Sequence, residues 1–197
     1  MRQQPTLETP RLILRPFTLA DASDVQRLAG VRDVASATLA IPYPYEDGMA
    51  EAWIRTHQPA FEEGTVITFA ITARSSWALC GAIGLSISVA HHHAEIGYWI
   101  GRPYWNQGYC TEAAAGVLRY GFEELALHRI FARHMRRNPA SGRVMQKIGM
   151  AYEGRLREHY SKWGAFEDIE MYGILREEWQ KKGPSDPTYM MGVLSGR

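Results

Sequence analysis

Residues 94–120, AEIGYWIGRPYWNQGYCTEAAAGVLRY, constrain the fold of this chain more than any other stretch. Residues 96–100 form an apolar run of strand length. A turn follows that holds Gly101, Pro103, Asn106, Gln107 and Gly108. Beyond it, Ala114, Leu118, Phe122 and Leu125 recur near the 3.6-residue period, which predicts a helix. A helix that starts directly after a glycine turn presents unpaired backbone N–H groups and the positive end of its dipole. That is a seat for an anion such as a diphosphate. At Gly108 the missing side chain lets the backbone come close to phosphate oxygens. The dinucleotide fingerprint G-x-G-x-x-G and the Walker pattern G-x-x-x-x-G-K-[ST] are both absent, which argues against nicotinamide, flavin or ATPase chemistry.

The 197 residues suffice for one domain with a substantial core. The formal net charge of +1 gives no field that favours nucleic acid or an anionic membrane. No apolar run reaches the length of a membrane span, and MRQQPTLETP has no apolar signal core. Cys80 and Cys110 are the only cysteines, which fits a reducing cytoplasm rather than a disulfide framework. The expectation is a soluble cytoplasmic protein, monomer or homodimer, without nucleic-acid, membrane or metal partners. His91-His92-His93 lacks the Cys or acidic spacing of a metal site and is expected to be a solvated hairpin loop.

Along the chain, residues 11–17 predict a first strand. Residues 19–28 predict a helix capped by Thr18, with Asp21 in its first turn. Residues 31–45 look irregular and Pro-containing, either a groove-lining loop or a packed one. Residues 47–61 predict one helix with Met49, Trp53 and Ile54 inward. Residues 65–73 alternate as a half-buried strand. A long strand follows over 79–89, broken at Gly81 and Gly84. The strand at 95–100 completes a meander. Residues 129–135 predict another strand and 140–148 a short helix, with Gly149 as a left-handed C-cap. Residues 152–159 and 168–176 predict two closing strands around a turn at Gly164, followed by a charged end at 177–182. Residues 183–197 are expected to be a mobile or docked tail.

The turn at Trp105-Asn106-Gln107-Gly108-Tyr109-Cys110 resembles the acyl-CoA pyrophosphate loop [RQ]-x-x-G-x-[GA] of the GCN5-related N-acetyltransferases. Gly108 matches; Trp105 and Cys110 depart from the pattern. The surrounding E-I-G-Y-W-I…Y-W…G-Y-x-T-E-A is similar to the branch that acetylates ribosomal-protein N-termini and small amines. Residues 138–150 resemble a second motif, N-x-x-S-x-x-[VL]-x-x-K-x-G-F, through Asn138, Ser141, Val144, Lys147 and Gly149, with Met150 in place of Phe. The likeness extends over residues 9–179.

The resemblance implies a single α/β (α+β) domain over residues 9–182, with a mixed, mostly antiparallel sheet of about seven strands flanked by helices. It implies acetyl-CoA as cosubstrate and a primary amine, on a peptide N-terminus or small molecule, as acceptor. The cofactor would meet Tyr98, Trp99 and Ile100 through a strand edge that pairs with pantetheine amides. Asn106, Gln107, Gly108, Tyr109, Cys110 and Thr111 would grip the diphosphate. Asn138 would hold a pantetheine amide from the opposite wall. Ser141 is expected to assist the departing thiolate, or else to cap its helix. A base must strip a proton from the ammonium; Glu95 is the first candidate, with Tyr160 and Glu158 as rivals. Arg143 and Lys147 contact the adenosine phosphates or form a solvated face. Cys110 fills a small-residue slot or, less simply, carries an acyl group. Another acyl-CoA-dependent transferase, and a non-catalytic acyl-CoA-binding module, stay open as alternatives.

Overall fold

The structure, a computed structural model, describes residues 3–182. The expected tail at 183–197 lies outside the described residues. Eight strands form one sheet in the order β1-β2-β3-β4-β5-β6-β8-β7. They are β1 (Leu7–Glu8), β2 (Leu12–Arg15), β3 (Val66–Ala73), β4 (Leu79–Ser88), β5 (His93–Ile100), β6 (Arg129–Met135), β7 (Ala151–Lys162) and β8 (Ala165–Leu175). Every neighbouring pair is antiparallel except β5 and β6. The sheet therefore has one strand more than expected, because the two-residue β1 pairs with β2.

The helices are α1 (Ala22–Ala29), α2 (Arg32–Ala37), α3 (Met49–Arg55), α4 (His57–Glu62), α5 (Tyr109–Glu123), α6 (Pro139–Lys147) and α7 (Arg176–Lys182). Leu118, Val117 and Ala114 of α5 pack with Phe69, Leu85 and Ile96 in the main core. Burying each large side chain contributes roughly 1.5–3 kcal/mol. On the other side of the sheet, α1 and α3 cover Ala70, Leu79 and Trp99. β3 is thus buried on both faces toward its end, not half-buried as its alternation suggests.

Three further expectations change. The predicted loop at 31–45 contains α2, whose buried Val34 and Ala35 anchor it. The predicted helix at 47–61 is two helices broken at Thr56. Pro59 has no N–H to give Arg55, and its ring crowds that carbonyl, so the ladder stops there. β4 stays one strand through Gly81 and Gly84, although its pairing with β3 shifts register at Cys80, beside Gly81. A Cβ on Gly81 would stand 2.1 Å from the Trp99 carbonyl oxygen, so this glycine permits close strand approach rather than a break. The strand over 129–135 and the left-handed Gly149 stand as expected.

His57 is a buried group with a solvent-pH consequence. It is 8% exposed, and neither ring nitrogen has a hydrogen-bond partner among the described residues. Its ring meets Trp53 edge-on at 4.4 Å and Phe17 at 5.3 Å. Burial pushes its pKa down from 6.5 to about 4. The folded state favours the neutral ring, so its contribution is complete above pH 6.5 and is lost as pH falls toward 4. Between pH 7.5 and 5 this amounts to about 2 kcal/mol. Urea unfolding at both pH values should show His57→Leu losing about that much less stability on acidification than the wild type. An equal loss in both would exclude His57 as the source.

Candidate active site

β5 and β6 pair only at His93↔Arg129, Ala94↔Ile130 and Glu95↔Phe131. Beyond Glu95 the strands part, while β4 stays paired with β5 to Ile100 and β8 with β6 to Met135. The result is a wedge-shaped gap in the middle of the sheet. Gly101 N–H donates to the Cys80 carbonyl at 2.8 Å, so by strand alternation Trp99 also faces β4. The backbone groups of Tyr98 and Ile100 then turn toward the gap, an edge suited to an amide-bearing arm, with the Ile100 carbonyl already accepting from Trp105 Nε1.

A cleft of about 400 Å³ occupies this place. Its walls include Tyr98, Trp99 and Ile100 of β5, Asn106 and Gly108 of the turn, and Tyr109, Cys110 and Thr111 of α5. From α6 come Ser141, Arg143, Val144 and Lys147, with Asn138 just before it. Val34, Ala37 and Thr38 of the α2 end close it. Gly108, with φ 76°, is the left-handed N-cap of α5 and offers no capping side chain. The first intrahelical donor is Glu112 N–H, bonded to the Gly108 carbonyl at 3.0 Å. The N–H groups of Tyr109, Cys110 and Thr111 thus have no acceptor within the helix.

Among the described residues the charge of the cleft is one-signed: no Asp, Glu or His of them lines it, whereas Arg143 and Lys147 do, one helical turn apart and in no ion pair with any of them. This suits phosphate groups. α5 does carry an acid in its first turn, Glu112, which alone would oppose an anion. It is 1% exposed and fully engaged. Arg11 N–H and Nε donate to its two oxygens at 2.7 and 2.6 Å, and Thr9 Oγ1 donates at 2.6 Å. Arg11 also donates Nη1 to the Gln107 carbonyl at 3.0 Å and lies 5.0 Å from the Tyr109 ring. Arg11 and Glu112 therefore brace the turn. No local signal marks this pair, since its members lie 101 residues apart.

Trp105 also acquires a role. Its Nε1 donates to the Ile100 carbonyl at 2.6 Å, and Arg102 stacks 4.8 Å above its ring. An Arg or Gln at this position is replaced by an indole that pins the strand end to the turn. Burial pushes the Cys110 thiol well above its ordinary range, which opposes thiolate formation at the head of α5.

The structure does not bring every expected residue into the cleft. Gln107 turns outward and donates to the Pro103 carbonyl at 2.9 Å, leaving only its backbone near the site. Glu158 is exposed at a bulge with φ 49° and does not line the cleft. Glu95 is the last residue of β5 that pairs with β6, at the apex of the gap, and its Oε1 accepts from Arg133 Nε at 2.6 Å. Arg133 in turn lies 5.1 Å from the Tyr160 ring. Neither Glu95 nor Tyr160 lines the cleft. Asn138 does line it, but its amide is partly committed. Oδ1 accepts from Ser141 N–H at 3.4 Å and Nδ2 donates to the Ala37 carbonyl at 3.0 Å. It ties α2 to the cleft wall and keeps one donor and one lone pair over. Among the described residues, no group of three or more His, Cys, Asp or Glu could hold a metal ion, and no helix is long and apolar enough to cross a membrane.

Comparison with known proteins agrees with this geometry. Residues 11–151 match the acetyltransferase (GNAT) domain family. The chain is 34% identical over 182 residues to the uncharacterized N-acetyltransferase YoaA of Bacillus subtilis, covering 87% of this chain and 97% of that protein. It is 35% identical over 103 residues to the putative ribosomal N-acetyltransferase YdaF of the same organism, covering 52% of this chain and 56% of that one. A GNAT-family acetyltransferase from Bacillus anthracis superposes with a TM-score of 0.78 at 30% identity, covering 88% of this chain and 99% of that one. The chain belongs to the GNAT acetyltransferase family, and it is an acetyl-CoA-dependent N-acetyltransferase with the mixed, mostly antiparallel sheet of that fold.

Proposed function

We propose that acetyl-CoA lies through the gap between β5 and β6, and that a primary amine attacks its thioester directly. The observation that carries this is the end of β5–β6 pairing at Glu95, beneath the uncapped start of α5. The diphosphate would sit on the N–H groups of Tyr109, Cys110 and Thr111. Arg143 and Lys147 would meet the adenosine phosphates. The pantetheine amides would pair with the gap-facing backbone of Tyr98 and Ile100, with the spare donor of Asn138 opposite.

In the reaction the amine nitrogen bonds to the carbonyl carbon, and the carbonyl π pair moves to oxygen. A backbone N–H near Trp99 or Ile100 would stabilise that oxyanion. The C–S bond then breaks and its electron pair leaves with sulfur, where Ser141 Oγ–H donates a hydrogen bond. Because no carboxylate or imidazole of the described residues lines the cleft, the amine proton would leave through water toward Glu95 at the gap apex. Tyr160, linked to Glu95 through Arg133, helps hold that arrangement. The two free cysteines fit a reducing cytoplasm. The likeness to YdaF, a putative ribosomal N-acetyltransferase, favours a peptide N-terminus as acceptor, with small-molecule amines second.

A thiol-release screen of acetyl-CoA against peptide N-termini and small amines tests the reading. At least one primary amine should release free thiol, faster than with succinyl-CoA. Binding of acetyl-CoA with no release for any amine would leave only a binding module. With an active acceptor in hand, Ser141→Ala should lower kcat about 10- to 100-fold, with the Kd for acetyl-CoA within about threefold. An unchanged kcat would reduce Ser141 to a helix residue.

A further inference from the structure

Ser141 does not stand alone. The Tyr98 hydroxyl lies 3.0 Å from Ser141 Oγ and 3.2 Å from the Ser141 carbonyl oxygen. We propose that Tyr98 is a positioning residue for the transfer: its phenol donates to Ser141 Oγ and thereby frees the serine's own hydrogen to point at the coenzyme's sulfur. The inference rests on the placement of Ser141 at the sulfur given above.

Each hydroxyl has one donor and two acceptor sites. The Ser141 carbonyl is an acceptor only, so the Tyr98 hydrogen goes either to it or to Oγ. If it goes to the carbonyl, Ser141 Oγ–H donates back to the phenol oxygen and is lost to the sulfur. If it goes to Oγ, the serine hydrogen is free. Negative charge developing on sulfur attracts that hydrogen and selects the second pattern. Without the phenol, a serine in the first turn of a helix turns its hydroxyl back to a nearby backbone carbonyl, here that of Asn138. Ser141 N–H already donates to that carbonyl at 3.2 Å, so the group is within reach.

The phenol is suited to donate and not to ionise. Burial raises its pKa well above the ordinary tyrosine value, and the neighbouring Cys110 thiol adds to this; the Ser141 bond pulls the other way but does not prevail. In this arrangement both hydroxyls act as neutral donors. They donate hydrogen bonds, and sulfur takes its proton from solvent after release.

The consequence can be read without knowing the acceptor. A hydrogen bond donated to a thiolate lowers the pKa of its thiol. The probe is coenzyme A itself, bound to the protein and titrated by the ultraviolet absorbance of its thiolate. Desulfo-coenzyme A serves as the blank, so that Cys80, which burial raises to about 11, and Cys110 cancel. Tyr98→Phe keeps the ring and removes the hydroxyl. It should raise the bound thiol pKa by about one unit, a tenfold loss of thiolate at fixed pH, with desulfo-coenzyme A affinity within about threefold. Ser141→Ala should raise it at least as far, and the double variant no further than Ser141→Ala alone. A rise in Ser141→Ala with none in Tyr98→Phe would overturn the inference and leave the serine assignment standing. No rise in either would remove both. Additive rises would also overturn it, because two independent donors would then be acting. Loss of desulfo-coenzyme A affinity in Tyr98→Phe with an unchanged thiol pKa would make the phenol a wall and nothing more.

Discussion

Gly108→Val is expected to lower acetyl-CoA affinity at least 100-fold while leaving the protein folded. Gly108 holds φ 76°, a left-handed conformation, as the N-cap of α5. A β-branched side chain there costs roughly 1–3 kcal/mol. The chain relieves that strain most easily by rotating the peptides on either side of residue 108. Such a rotation turns away the Tyr109 and Cys110 N–H groups that form the anion seat. The two added methyl groups also occupy the space that the diphosphate needs. The two effects act together on one ligand, whereas the fold has other supports. Ala113, Ala114, Val117 and Leu118 of α5 stay in the core. The melting temperature should therefore fall by only a few degrees. Calorimetric titration with acetyl-CoA and circular dichroism of the same sample decide the matter. Full affinity in a folded Gly108→Val protein would mean that the diphosphate lies elsewhere. Gly108→Ala, which adds one methyl group and pays less strain, should fall between.

The features that this prediction uses were legible in the sequence because each is local. A left-handed glycine before an apolar 3.6-residue repeat announces α5, and Gly149 announces the end of α6 in the same way. Alternation announces β6 over its whole length. Two nearly contiguous motifs place Tyr98, Ser141, Arg143 and Lys147, and the structure gathers them around one cleft. What was hidden is what depends on distant pairing. The insertion of β8 between β6 and β7 leaves no trace in either strand's pattern. α2 has only six residues, too short for a period to show. The tie from Asn138 to Ala37 and the pair of Arg11 with Glu112 each span 101 residues. Glu95 illustrates the same limit in the functional part. Its position at a strand end was readable, whereas its engagement by Arg133, on the neighbouring parallel strand, was not.

The pair of Arg11 and Glu112 carries the other large effect. Glu112→Ala should destabilise the protein by about 3 kcal/mol, and lower the melting temperature by roughly 6–12 °C for a chain of this size. The carboxylate is 1% exposed and accepts three hydrogen bonds, from Thr9 Oγ1, Arg11 N–H and Arg11 Nε. Its removal leaves the part-buried backbone N–H of residue 11 without its acceptor and a guanidinium beside a void. Each loss costs about 1–3 kcal/mol. The Arg11 side chain is 37% exposed, so water can recover part of its share, which keeps the total near the lower end for broken buried pairs. Glu112→Gln separates charge from shape. The amide can still accept from Arg11 N–H and Thr9, but its NH₂ would face Arg11 Nε, donor against donor. It should therefore recover no more than about half of the lost stability. Arg11→Ala should cost less than Glu112→Ala only if water reaches the carboxylate, which its burial forbids. The two single variants are thus expected to be comparable, and the double variant to cost clearly less than their sum. Thermal and urea unfolding of the four proteins tests this. A Glu112→Ala shift below about 2 °C, or strictly additive losses, would show that the brace beneath the phosphate turn contributes nothing to holding α5 in place.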